Sequence, residues 1–155
     1  MTAAYYAYYE SPIGVLEIAG TTTALTAVHF VDTIPAHYET HPLTQATREQ
    51  LDAYFRHRRE TFDLPLEPEG TSFQRRVWQE LLTVPYGRLL TYQDVADALG
   101  NPKATRAVGA ANGQNPIPII IPCHRIVGSG GKLTGYGGGL WRKEWLLRHE
   151  GALLV

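Results

Sequence analysis

The chain has 155 residues, 44% of them hydrophobic and 19% charged, and a net charge of −1. That length and balance suit one domain, or two small ones, with a buried core, and exclude a disordered chain. The near-neutral total hides an asymmetry: residues 1–70 carry four Lys/Arg against ten Asp/Glu, and residues 71–155 carry ten against five. A basic half invites a polyanion such as nucleic acid, although a basic surface with no such partner accounts for the charge equally well.

Along the chain, strands come first. Ala4–Glu10, Val15–Ala19 and Leu25–Val31 are β-branched, aromatic or alternating, and turns at Ser11–Gly14 and Gly20–Thr23 join them into a meander. Helical spacing follows from Pro42 to about Arg58, and residues 64–70, rich in proline, form a plausible domain boundary. Beyond Gly70 the texture is helical. Thr71 and Gln74 make a capping box for an apolar face built on Phe73, Val77, Trp78 and Leu81. Thr91 and Asp94 make a second box, for a short helix closed by Gly100. Asn101 and Pro102 then read as N-cap and N1 of a helix running to about Asn112. Together these two short helices predict a helix-turn-helix, the second built from small residues that permit close approach to another helix or to a DNA groove. A glycine-dense stretch over 128–139 lacks the Gly-Lys-Ser/Thr ending of a phosphate-binding loop. A last helix is expected from Leu140 to His149.

The fold class predicted is therefore a small N-terminal α/β domain over residues 1–70, a three-stranded sheet with a helix acting as scaffold. A mostly α-helical C-terminal domain with the helix-turn-helix follows over residues 71–155. The longest apolar run, around 117–123, is too short to span a membrane and is interrupted by prolines. No basic segment followed by an apolar stretch opens the sequence, so a cytoplasmic protein is expected, nuclear in a eukaryote.

Cys123 is the only cysteine, so any cysteine chemistry is that of a single thiol. His124 and Arg125 follow it, and either stabilises a thiolate if the fold brings it close. A small buried hydrophobe is the competing reading. Adjacent Cys123 and His124 cannot face one point from a regular strand, so a local turn is required there.

In chain order stand the helix-turn-helix, Asn115-Pro116, Pro122-Cys123-His124-Arg125, Gly135-Tyr136-Gly137-Gly138 and His149-Glu150-Gly151. This order resembles the O6-alkylguanine-DNA alkyltransferases, or methylated-DNA–protein-cysteine methyltransferases. The likeness is close over about residues 71–151, and over 1–70 it rests on element order alone. It implies direct-reversal DNA repair: O6-alkylguanine is flipped out of the duplex and its alkyl group passes irreversibly to Cys123, once per molecule. By resemblance His124 is the base, acting through a water, Glu150 orients it, and Asn115 braces the active-site turn. Tyr92, Ile126, Tyr136, Gly137 and Lys143 bind the substrate base, Lys143 at the pocket rim. Tyr92, Lys103, Arg106, Ala107 and Arg125 contact DNA, with Arg106 filling the gap in the stack. Gly137 departs from members with serine there, which bears on the size of alkyl group accepted. No metal and no cofactor are expected, because the cysteine-containing zinc site of some relatives is missing. The implied partner is double-stranded DNA carrying O6-alkylguanine, with O4-alkylthymine a second candidate, met from the minor groove by a monomer able to cluster on DNA. A multi-turnover Cys-His-Glu hydrolase or amidotransferase, and a non-catalytic lesion binder, are the alternatives.

Overall fold

In the computed structural model, which describes residues 4–153, the alternation of the first thirty residues becomes an antiparallel meander. Strands β1 (Tyr5–Ser11), β2 (Gly14–Gly20) and β3 (Leu25–Val31) pair in that order. The two-residue turn between β1 and β2 depends on Gly14, whose φ of 124° favours glycine. Leu16 and Ile18 point to the core while Glu17 stays half-exposed, as period two requires. Helix α1 (Pro42–Phe55) starts from a capping box at His41 and buries Leu51, Tyr54 and Phe55 within this unit. It ends three residues before the expected Arg58. His57 takes a left-handed φ of 59°, and the Arg58 amide donates back to the Ala53 carbonyl at 2.8 Å, which closes the helix end. The proline-rich connector is more than a spacer: Leu25 and Glu67 exchange main-chain hydrogen bonds with residues 65 and 25, adding a bridge beside β3.

The chain divides into two units, Met1–Glu69 and Gly70–Val155. In the second, helix α2 (Ser72–Leu81) begins at the Thr71/Gln74 capping box and buries Val77, Trp78 and Leu81. A short strand β4 (Leu90–Thr91) leads into helix α3 (Tyr92–Ala98), which has the Thr91/Asp94 box, and helix α4 (Thr105–Gly113) follows. Here the expected start is corrected. Asn101 and Pro102 are not the N-cap and N1 of α4; Ala104 takes the cap position without a side-chain hydrogen bond. The preceding residues are held as an extended turn instead. Gln93 Nε2 donates to the Pro102 carbonyl at 2.8 Å, and the Thr105 hydroxyl donates to Gln93 Oε1 at 2.9 Å.

Beyond α4 the chain crosses to β5 (Ile126–Val127), which pairs in parallel with β4 through Leu90–Ile126 and Thr91–Val127. Helix α5 (Leu140–His149) ends the described fold, and its N-cap Gly139 has a φ of 98°. The core of this unit comprises Val77, Trp78, Leu81, Val95, Val108, Ile117, Ile121, Ile126, Leu146 and Leu147. No helix is long and apolar enough to cross a membrane among the described residues.

Candidate active site

The segment between α4 and β5 is fixed by its own side chains. Asn115 Oδ1 accepts from the Ile117 amide at 3.0 Å, and its Nδ2 donates to the Ile121 carbonyl at 2.8 Å. Between those anchors Ile119 is buried with a φ of 74°, a strained conformation for a β-branched residue, of the kind that persists where the surroundings over-determine it. Residues Cys123–Arg125 then form a single 3-10 turn, the local turn the sequence requires, which swings three consecutive side chains to different sides. Cys123 is buried, and burial pushes its thiol pKa up to about 11, against opposing pulls from the Asn115 side chain and the Lys143 charge. At rest the group is a thiol, not a thiolate.

His124 and Glu150 meet in the interior, His124 Nε2 lying 2.7 Å from Glu150 Oε2. Arg125 grips the same carboxylate from the other side: its Nε donates to Oε1 at 2.8 Å and its Nη2 to Oε2 at 3.0 Å. Despite burial, the charges and hydrogen bonds of His124 and Arg125 hold the Glu150 carboxyl well below the usual carboxylate range. Burial pushes His124 the other way, below the ordinary imidazole value, so the ring is neutral near pH 7. An ionised carboxylate only accepts, so Nε2 carries the proton and Nδ1 keeps its lone pair. That Nδ1 is buried and has no hydrogen-bond partner. The arrangement presents a basic nitrogen on the residue next to the thiol.

Two expectations are corrected by this geometry. Arg125 is not a DNA-contacting cation: it is 6% exposed, committed to Glu150, and its Nη1 donates to the Val84 carbonyl at 2.8 Å. Lys143 is not at a rim: it is fully buried on α5, and Nζ donates to the carbonyls of Ile126 at 2.5 Å and Thr134 at 2.7 Å. Desolvation lowers its pKa to about 8. The ammonium therefore ties the glycine-dense loop to the end of the reactive segment.

Tyr136 and Tyr92 complete the surroundings. The Tyr136 hydroxyl is buried without a partner, and its pKa is raised by burial and by the nearby Cys123. The Tyr92 hydroxyl donates to the Thr134 carbonyl at 3.1 Å. Gly137 faces the end of α4, where a Cβ on it would come 3.9 Å from the Gly113 carbonyl oxygen. Among the described residues no group of three or more His, Cys, Asp or Glu is placed to hold a metal ion.

Comparison with known proteins bears on both units. The ribonuclease-like domain of 6-O-methylguanine DNA methyltransferase matches residues 4–68, and the DNA binding domain of 6-O-methylguanine DNA methyltransferase matches residues 72–152. A methylated-DNA–protein-cysteine methyltransferase of Methanosarcina acetivorans is 47% identical, over 96% of this chain and 99% of its own. The chain belongs to the methylated-DNA–protein-cysteine methyltransferase family. Among the solved structures it is similar to, the Mycobacterium tuberculosis O6-methylguanine methyltransferase has a TM-score of 0.86 at 46% identity, covering 97% of this chain and 94% of that one. Mycobacterium tuberculosis OGT in complex with DNA has a TM-score of 0.85, covering 95% and 92%.

Within this methyltransferase fold the residues singled out from sequence fall into two groups. Cys123, His124, Glu150, Asn115, Ile126, Tyr136 and Lys143 belong to one linked interior region. Lys103 in the turn before α4 and Arg106 and Ala107 in its first turn are exposed, away from any described ion pair, and Tyr92 is half-buried at the start of α3. Sequence reasoning missed Asn112. Buried at the end of α4, it donates from Nδ2 to the Cys123 carbonyl at 3.3 Å. The only signal was an amide on a helix face otherwise built from alanine, glycine and valine.

Proposed function

We propose that the protein repairs duplex DNA by moving the alkyl group of O6-alkylguanine onto Cys123, one group per molecule. A single observation carries the reading: the chain's only cysteine is buried beside a neutral histidine whose Nδ1 is unpaired and whose other nitrogen is fixed by an ionised carboxylate. The lesion lies inside the base stack, so its nucleotide rotates out, at a cost of roughly a few kcal/mol. Arg106, exposed on α4, fills the gap, and Tyr92 crowds the neighbouring phosphate from the first turn of α3. Lys103 and Ala107 lie along the duplex.

In the pocket, the carbonyls of Cys123 and Ile126 accept from the guanine exocyclic amine. A water between Sγ and His124 Nδ1 passes the thiol proton to the imidazole, and Glu150 stabilises the cation that results. Arg125 keeps Glu150 ionised and in place, and the Lys143 charge favours the thiolate. The sulfur then attacks the alkyl carbon in line: the S–C bond forms, the C–O6 bond breaks, and the electron pair leaves on guanine. Tyr136 and the Gly137 N–H donate to O6 as that charge develops, and a proton taken up at N1 yields guanine. The thioether is a poor leaving group and no second thiol exists to clear it, so the chain is consumed.

The test is intact-mass and peptide analysis after mixing with a duplex bearing O6-methylguanine. One methyl on Cys123 and a stoichiometric limit are expected. Unchanged mass, or product beyond one equivalent, overturns the reading.

A further inference from the structure

Among the described residues three buried side-chain atoms have no hydrogen-bond partner: His124 Nδ1, the Tyr136 hydroxyl and Asn112 Oδ1. A fold keeps such an atom where a ligand or water completes it. The first two belong to side chains with roles beside Cys123. Asn112 lies in the same place by a different route. It is 2% exposed, on the last turn of α4, and its Nδ2 donates to the Cys123 carbonyl at 3.3 Å. The turn carrying it is pinned, because the preceding carbonyl, that of Ala111, accepts from the indole of Trp78 at 2.8 Å. Asparagine is a poor helix former and costly to bury, so packing alone does not explain it.

The neighbouring carbonyls each hold a hydrogen bond already. The Cys123 carbonyl receives the Ile126 amide as well as Asn112, and the Ile126 carbonyl receives Lys143 Nζ. Asn112 Oδ1, one amide group's width from the Cys123 carbonyl, is the acceptor left over. An O6-alkylated guanine has lost its N1 hydrogen, so its exocyclic amine is its sole N–H donor. We infer that Asn112 is a specificity-determining residue for that amine, aligning the Cys123 carbonyl through Nδ2 and offering Oδ1 as a further acceptor that shares the amine's hydrogens with the Cys123 and Ile126 carbonyls. The inference rests on the alkyl transfer to Cys123 proposed above.

Single-turnover rate constants on two duplexes test it, one with O6-methylguanine and one with O6-methylhypoxanthine, the same ether without the amine. The native chain should prefer the guanine lesion by about tenfold, the scale of one hydrogen bond. In Asn112→Ala and Asn112→Ser that ratio should fall at least about threefold toward one. The fraction of active protein cancels in the ratio of the two rate constants, so a general structural defect slows both lesions alike and leaves the ratio. A ratio preserved in either variant that folds, or no preference in the native chain, overturns the inference. Failure of the native chain to methylate Cys123 from either duplex overturns the alkyl-transfer reading instead.

Discussion

Glu150 is shared between His124 and Arg125 with all three side chains buried, so its charge is structural as well as chemical. Its folded pKa lies below the unfolded value of about 4.3, so its contribution to stability is present above that pH and lost as pH falls through and below it. His124 adds an earlier loss. Its folded pKa is also lowered, so below about pH 6.5 the unfolded ring takes a proton that the buried ring refuses. Acid should therefore lower the unfolding midpoint in two stages, the first from about pH 6.5 and the second from about pH 4.3. In Glu150→Gln the second stage should flatten. The variant should also be less stable at pH 7 by about 3–5 kcal/mol, because Arg125 is left buried without its counter-charge. Thermal or urea unfolding between pH 8 and 2 checks both, and a midpoint that holds steady or rises on acidification contradicts the assignment.

Helix boundaries set by neighbouring residues were legible, and those set from a distance were not. The boxes Thr71/Gln74 and Thr91/Asp94 are i-to-i+3 hydrogen bonds, so four letters suffice to find α2 and α3. The start of α4 depends on Gln93, twelve residues before Thr105, gripping the Pro102 carbonyl and the Thr105 hydroxyl, and no local pattern encodes that. The β4–β5 pair is two residues against two, too short to show a period. Arg125 and Lys143 were misplaced for a related reason. Cations are usually exposed, and what buries these two is a carboxylate on the end of α5 and carbonyls in a loop, partners that meet only in the fold. Where α3 and α4 do stand as expected, Arg106 carries the sharper consequence. Unstacking costs a few kcal/mol and falls only on duplex substrate. Arg106→Ala should slow transfer from duplex by about tenfold or more while changing reaction with free O6-methylguanine base less than about twofold. Equal losses on both substrates would remove the side chain from the stack.

At the scale of the whole molecule, charge is divided between the units. Met1–Glu69 carries four basic and ten acidic residues, a balance of −6, and Gly70–Val155 carries ten and five, a balance of +5. A polyanion therefore finds attraction on one unit and repulsion from the other, and no long-range pull from the total of −1. Contact then relies on individual surface cations. Of the ten in the second unit, Arg125 and Lys143 are buried and engaged, which leaves at most eight to meet phosphate. Each phosphate neutralised contributes about −0.9 to the slope of log affinity against log salt concentration, so the slope on undamaged duplex should be no steeper than about −7. Lys103 stands exposed in the turn before α4. Lys103→Ala should make the slope shallower by about 0.9 and weaken binding alike across sequences. Anisotropy titrations of the full chain over a salt series measure this. A slope that Lys103→Ala leaves unchanged would move the DNA-facing surface away from the helix-turn-helix.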